Sequence, residues 1–345
     1  MKICRFCGMT LDDHARFCPN CGNTADDGHG PSSYSGIPSP PYGAYSAPPQ
    51  DPAAMYVQNR LKELRHNAEL PLFGVMIGIS SLILLFLLTR SGSLFKTPDY
   101  GFYPGSNPLM ESILTFIGLM TGIVGIVYAV ARLILSYYML YAQTISGAVL
   151  VTPTNFPEIY QKSVEYAQLL QLKWRPEVYI MQQNGVLNAF SAWMLKKRYV
   201  VLNAELVDIA YMENKDFSSV YFVMAHEYGH HYFNHTALWR NLVILYAESI
   251  FPVSMAFSRA CEYSCDRVAQ VLTHQSGVEA MMALTAGRHL YKYVKIEDYL
   301  NNLLNRNRTD ELVFRWIYNF ISSHPIMPYR VMALLDPRGG SGKLL

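Results

Sequence analysis

The chain has 345 residues, of which 51% are hydrophobic and 16% are charged. Soluble domains average about 25% charged residues, so this composition predicts a membrane portion. The formal net charge is +2, which argues against a general nucleic-acid-binding surface.

The six cysteines fall into two groups: four lie within the first 21 residues, and the others are Cys261 and Cys265. This is not the chain-wide spread of a secreted disulfide scaffold. The first 21 residues are polar and hold no apolar segment of the signal-peptide type. We therefore expect the N-terminus to remain in the compartment where the chain is made, where paired thiols persist as metal ligands.

Residues 1–23 contain two Cys-x-x-Cys pairs, Cys4 with Cys7 and Cys18 with Cys21, each followed by glycine. Four thiolates in two such knuckles bind one structural zinc ion tetrahedrally. We predict a small zinc ribbon that needs its ion to fold, with a redox role as the alternative. The scarcity of basic residues favours a protein partner, which the sequence does not identify, over nucleic acid.

Residues 24–54 are rich in Gly, Pro, Ser, Tyr and Ala, which predicts a flexible linker. Residues 55–71 are predicted to form a short charged juxtamembrane helix that ends before Pro71.

Two uncharged apolar runs follow, Leu72–Leu88 and Ser112–Ala131. A helix needs about 20 apolar residues to span a bilayer, so we predict transmembrane helices at 72–90 and 110–132. The alternative is a pair of buried helices in a soluble core. Basic residues precede the first run and follow the second, which favours a multi-pass protein of the cell membrane with both ends in the cytoplasm.

Residues 150–338 are predicted to form a globular domain that is mainly α-helical with a small β-sheet, an α+β fold. Strands are expected at Val178–Met181 and Tyr199–Leu202, and helices at 157–172 and 218–236, the second capped by Ser218 or Ser219. Ala237–Phe257 is expected to be one amphipathic or interfacial helix, or a helix folded into the domain.

The sequence His226-Glu227-Tyr228-Gly229-His230 lies within the second of these helices. Histidines four residues apart share one helix face, so both imidazoles can bind one zinc ion. Glu227 can then take a proton from a metal-bound water, which is the arrangement for amide hydrolysis. We expect Gly229 to keep the space between the ligands open. His231 and His235 are possible rival ligands. We expect both to be bystanders, because His231 points off this face and His235 lies on the next turn.

Glu262 and Asp266 are also four residues apart on a predicted helix. One carboxylate can complete the zinc site, and the other can accept a hydrogen bond from a ligand histidine. The alternative is a solvated acidic face. Cys261 and Cys265 have the same spacing, but we interpret them as small buried hydrophobic residues, because thiolates would reduce the Lewis acidity that hydrolysis needs.

Four pieces in this order resemble the HtpX and CAAX-prenyl-protease group of membrane metallopeptidases, metallopeptidase family 48, over roughly residues 110–337. They are Asn188-Ala189-Phe190-Ser191, the helix at 226–230, Glu262 with Asp266, and His324-Pro325 with Arg330.

The resemblance implies a zincin-like metallopeptidase domain in which His226, His230 and Glu262 bind the catalytic zinc. It makes Glu227 the general base and later the proton donor, and Asp266 the partner of a ligand histidine.

The resemblance further implies that Asn188 and Ala189 lie on an edge strand that pairs with the substrate backbone. His324 and Arg330 would line the cleft, where either could stabilise the oxyanion. The alternative for these last two is a simple turn after a helix.

The chain also departs from this group. HtpX-like members often carry two further hydrophobic helices after the zinc helix, whereas Ala237–Phe257 contains Arg240, Glu248 and Pro252. Two spans cannot build the membrane chamber of the prenyl proteases, so cleavage of misfolded or membrane-associated proteins is the nearer analogy.

The sequence thus predicts a membrane-anchored zinc endopeptidase with one catalytic and one structural zinc ion. Its expected partners are protein or peptide substrates and the lipid bilayer, without nucleic acid. The alternatives are a catalytically silent zinc-binding scaffold and an adaptor acting through the ribbon. Glu227 favours the enzyme, because a scaffold has no use for a base at that position.

Overall fold

The computed structural model describes residues 2–3, 10–11, 52–61, 63–90, 108–194, 196–212, 215–305, 309–336 and 342–344. The chain divides into two compact units, Met1–Gly43 and Ala44–Leu345. The described part of the first unit is a hairpin of β1 (Lys2–Ile3) and β2 (Thr10–Leu11). The four cysteines of the predicted ribbon, Cys4, Cys7, Cys18 and Cys21, lie outside the described residues, as does most of the predicted linker.

The second unit begins with α1 (Pro52–Leu61), α2 (Glu69–Arg90) and α3 (Pro108–Gly147). The predicted helix at 55–71 is wrong, because α1 ends at Leu61 and Pro71 lies in the first turn of α2. Proline is tolerated there, since the first amides of a helix have no intrahelical partner.

Both predicted apolar helices are present, and Glu69–Thr89 and Phe116–Gly147 are long and apolar enough to cross a membrane. The beginning of α2 packs on the rest of the unit through Phe73 and Met76, whereas Leu82 and Phe86 further along are exposed. Helix α3 is longer than predicted, because the apolar helix-forming sequence continues beyond residue 132.

Four strands, β3 (Val149–Leu150), β4 (Glu177–Met181), β5 (Ala189–Met194) and β6 (Lys197–Asn203), form a sheet in the order β3-β4-β6-β5. Strands β4 and β6 are parallel, and the other pairs are antiparallel. The strands predicted at 178–181 and 199–202 are therefore confirmed. Among the residues that the structure describes, strand β5 pairs with β6 alone and forms one edge of the sheet.

Most of the remaining residues of this unit form helices, one of them before β4 and the others after β6. This confirms the predicted mainly α fold with a small sheet. These helices are α4 (Pro157–Leu169, before β4), α5 (Ala204–Met212), α6 (Ser218–Tyr232), α7 (Leu238–Val243), α8 (Val253–Thr273), α9 (Val278–Ala286), α10 (Ile296–Asn305), α11 (Thr309–Ile321) and α12 (Met327–Leu335).

Two local predictions are wrong. Residues 237–257 do not form one helix: α7 ends at Val243, and α8 starts after Pro252, which has no amide hydrogen to continue a helix. Helix α6 is not capped by Ser218 or Ser219. The carboxylate of Asp216 accepts the Ser218 amide hydrogen instead, at 3.0 Å.

The core lies between the sheet and the pair α6–α8. Val200 and Leu202 of β6, Met224 of α6, and Cys265 and Val268 of α8 belong to one buried cluster. These two helices carry both halves of the predicted metal site, so core packing also fixes the distance between those halves.

Candidate metal centre

Helices α6 and α8 lie close together at Gly229. A Cβ atom at this position would lie 3.2 Å from both Cα and Cβ of Cys265. The expectation that Gly229 keeps space open between the ligands is therefore wrong. The glycine faces the neighbouring helix and permits the close approach that brings the α6 histidines to the α8 carboxylates.

The side chains of His226, His230 and Glu262 converge at this contact. The two histidine Nε2 atoms are 3.2 Å apart, and each lies 3.4 Å from one oxygen of Glu262. Zinc bonds of about 2.0–2.1 Å in a tetrahedron place neighbouring donors roughly 3.3–3.4 Å apart. The two 3.4 Å distances end on different oxygens of Glu262, so the two Nε2 atoms with either oxygen approach this spacing, and a fourth position is left for another ligand.

The electrostatic surroundings of this centre also favour a bound cation. Burial lowers the pKa of His226, but hydrogen bonds and charges from Asp266 and Glu262 outweigh burial and raise it to about 10. Asp266 occupies Nδ1 of His226 at 2.8 Å, so Nε2 faces the cluster. The surroundings stabilise positive charge at the point where a divalent ion would sit.

Arg330, from α12, lies behind the centre. Its Nε donates to Oδ2 of Asp266 at 2.9 Å, and its Nη1 is 3.7 Å from Glu262. Both carboxylates are buried, and burial raises their pKa values. For Glu262, hydrogen bonds from His226, His230 and His324 outweigh burial and hold the pKa below the ordinary range. For Asp266, the charge of Arg330 and the hydrogen bond from His226 have the same effect on the pKa.

His324 lies in the loop between α11 and α12. Its Nδ1 is 3.1 Å from Oε2 of Glu262, while its side chain is 67% exposed. The loop is held by Arg259 of α8, which is fully buried and donates to the carbonyls of Asn319 at 2.7 Å and Ser322 at 2.5 Å. The sequence analysis did not identify Arg259. A charged residue on the same predicted helix as Glu262 was the feature that could have pointed to it.

A cleft of about 460 Å³ opens in front of the three donors. It is lined by the other predicted site residues, Asn188, Ala189, Glu227, His324 and Arg330. Asp266 lies behind His226. The structure therefore brings together every predicted site residue of this unit.

The edge strand β5 forms one wall of this cleft. The Asn188 carbonyl accepts a hydrogen bond from the Asn203 amide at 3.0 Å, so Asn188 points its backbone toward β6. Backbone direction alternates along an antiparallel strand. The amide and carbonyl groups of Ala189 and Ser191 therefore point away from β6, toward the open edge.

The two neighbouring histidines differ. His231 lies off the cluster, as predicted: its Nε2 is 3.1 Å from the Tyr199 carbonyl, and burial lowers its pKa to about 3. His235 is not one of the three converging donors, but it contacts one of them. Its Nδ1 is 3.0 Å from Nδ1 of His230, and its Nε2 is 3.0 Å from Glu69 at the start of α2.

A His-Glu-x-x-His helix whose histidines meet a carboxylate from a second helix, beside an open strand edge, is the arrangement of a zinc metallopeptidase. The family model "Peptidase family M48" matches residues 153–239 and 236–338, and the chain belongs to this family. The family model of a zinc-ribbon domain matches residues 3–24. No curated protein and no solved structure matches the chain. The resemblance inferred from the sequence is thereby confirmed, and both matches indicate zinc binding.

Proposed function

We propose that this protein is a membrane-anchored, zinc-dependent endopeptidase. The observation that carries the proposal is the convergence of His226, His230 and Glu262 at the donor spacing of a zinc ion. The centre lies in a cleft that Glu227 also lines.

In the proposed mechanism, His226, His230 and Glu262 hold the zinc ion. When bound, the ion polarises the scissile carbonyl and lowers the pKa of the attacking water. Glu227 takes the proton of that water and then gives it to the leaving amine. Asp266 keeps Nε2 of His226 directed at the cluster through its hydrogen bond to Nδ1.

We propose that the substrate binds as an added strand along β5. The outward backbone groups of Ala189 and Ser191, next to Asn188 at the cleft wall, support this mode. Strand addition reads the backbone and needs no chain terminus, which favours an endopeptidase that accepts unfolded segments.

His324 is the better of the two predicted candidates for stabilising the oxyanion. Its side chain is mostly exposed at the cleft wall, whereas the guanidinium of Arg330 is buried and held by Asp266. Arg330 instead fixes the position of Asp266, and through it the ring of His226.

The membrane assignment rests on α2 and α3 and gains support from α11. Phe314, Trp316 and Tyr318 of α11 are each at least half exposed, and Phe320 of α11 contacts Phe251. The segment before Phe251 hydrogen-bonds to α2, which places this apolar surface close to where α2 leaves the rest of the unit. Such a surface suits the boundary of a bilayer.

We propose that residues 150–338 form the peptidase domain and that it faces the cytoplasm together with the N-terminal ribbon. Cys4, Cys7, Cys18 and Cys21 would hold a second, structural zinc ion. Misfolded or membrane-associated proteins are the proposed substrates, since a strand-binding cleft beside a membrane favours them.

The proposal is tested by digestion of an unfolded substrate with the purified chain, its Glu227→Gln variant, and the chelated protein. We expect cleavage by the first alone. Equal cleavage by all three would contradict a zinc peptidase. No cleavage by any of them would favour the silent scaffold or the ribbon adaptor.

A further inference from the structure

Glu69, the first residue of α2, is a fully buried carboxylate outside the matched family region. Its Oε1 accepts hydrogen bonds from Arg65 at 2.6 Å and from Nε2 of His235 at 3.0 Å. Its Oε2 accepts one from the Ser264 hydroxyl at 2.5 Å, which ties α2 to α8. A buried carboxylate with this many partners is fixed in position.

His235 uses both ring nitrogens. Nε2 meets Glu69, and Nδ1 lies 3.0 Å from Nδ1 of His230. Its ring stacks on Phe233 with centroids 5.4 Å apart, and its side chain is 6% exposed. The ring is therefore held in one orientation between the start of α2 and a proposed zinc ligand.

The hydrogen bonds determine which nitrogen carries each proton. A carboxylate can only accept, so the hydrogen on Nε2 of His235 is donated to Glu69. Nδ1 of His235 is then an acceptor, with Nδ1 of His230 at 3.0 Å and the Cys265 sulfur at 3.6 Å as its neighbours. We assign the donated hydrogen to Nδ1 of His230, the nearer of the two. Nε2 of His230 is left with its lone pair directed at the cluster, which is the tautomer that a metal ligand requires.

We propose that Glu69 and His235 are positioning residues for the metal centre, acting through His230 as Asp266 acts through His226. This proposal rests on the proposed zinc site. It makes zinc affinity depend on the contact between His235 and the first residue of α2, so displacement of that end of α2 should weaken zinc binding. The first residue of the apolar helix α2 thereby helps to position the metal centre.

A second metal ion is the competing explanation, because Glu69, His235 and Cys261 also lie close enough to share one. Arg240 opposes it: its Nη2 is 3.7 Å from both Glu69 and the Cys261 sulfur. A fixed positive charge at that point disfavours a divalent cation. A chain of hydrogen bonds needs no such ion.

The test measures zinc affinity by chelator competition, in the full-length chain with the four ribbon cysteines replaced by serine. We expect Glu69→Ala and His235→Phe each to weaken zinc binding by about 10–100-fold. The double variant should bind zinc no more weakly than the single variant with the larger loss of affinity. Both residues act through the same series of hydrogen bonds, so their effects should not add. Glu69→Gln should recover part of the loss, since its amide oxygen can still accept from His235.

Glu177→Gln is the matched control, because this carboxylate on β4 is also largely buried and accepts from Tyr179 at 2.9 Å. Its zinc affinity should equal that of the parent chain. If Glu69→Ala does not fold, the cobalt-substituted Glu69→Gln variant supplies the readout, with an altered visible spectrum expected.

Unchanged affinity in the folded Glu69 and His235 variants, or additive losses in the double variant, would overturn the proposal. An unchanged cobalt spectrum in Glu69→Gln would also overturn it. So would the binding of two zinc ions by the chain whose four ribbon cysteines are replaced by serine. These measurements use no substrate. A chain that binds zinc but cleaves nothing would therefore refute the peptidase without deciding the role of Glu69.

Discussion

His226 and Asp266 are joined by a 2.8 Å hydrogen bond between the ring Nδ1 and a carboxylate oxygen, forty residues apart in the chain. Asp266 is itself held by the buried guanidinium of Arg330. This relationship fixes the tautomer of one proposed zinc ligand and neutralises the charge behind it.

Asp266→Asn should therefore impair metal binding. The amide can donate to His226, which would move the ring proton to Nε2 and remove the lone pair that faces the cluster. We expect zinc affinity to fall by about 10–100-fold and stability to fall by about 3–5 kcal/mol, because Arg330 loses its buried partner. Chelator competition and thermal unfolding measure the two effects, and wild-type affinity would contradict the assignment.

Gly229→Ala tests the close approach of α6 and α8. The added methyl group would lie 3.2 Å from backbone and side-chain atoms of Cys265, which cannot move without shifting α8. We expect a destabilisation of about 1–3 kcal/mol and weaker zinc binding.

Gly147→Ala is its control, because Gly147 ends α3 with open space around it. This change should leave stability equal or slightly higher. Denaturant unfolding compares the two variants, and equal stability of both would show that the Gly229 contact can relax.

The cysteines should react in two separate groups. Burial raises the pKa of the Cys261 and Cys265 thiols, so both should resist alkylation at pH 8 in the folded chain. We expect no reactive thiol in the zinc-loaded protein, four after chelation and all six after unfolding. Reaction of more than four thiols in the folded, chelated chain would contradict the burial of this pair.

Arg259→Met tests the support of the loop that carries His324. Loss of the guanidinium removes a donor from the buried carbonyl of Asn319 and from the partly buried carbonyl of Ser322, at a cost of about 1–3 kcal/mol. We expect kcat to fall by up to about 100-fold, because His324 is displaced. Zinc affinity should not change.

The control variant is Lys162→Met, which removes the exposed ion pair of Lys162 with Glu165. It should leave kcat and zinc affinity unaltered. An unchanged kcat in folded Arg259→Met would show that the loop does not depend on this arginine.

Much of the site is predictable because its parts are local. His226 and His230 share one helix, as do Glu262 and Asp266, and a spacing of four residues places each pair on one face. The mainly α fold with a small sheet is predicted from helical periodicity and from short runs of strand-forming residues.

The remaining features depend on contacts between distant segments. Glu69 meets His235 across 166 residues, so no local pattern links them. The role of Gly229 required knowledge that α8 packs beside α6.

The most direct test of the central claim is a paired measurement of zinc content and cleavage rate on the Glu227→Gln variant in the full chain. The account predicts two zinc ions per chain, as in the wild type, together with a loss of cleavage of at least about 100-fold, the lower range for removing a general base. Retention of wild-type cleavage with the zinc intact would contradict the assignment of Glu227 and, with it, the proposed peptidase mechanism.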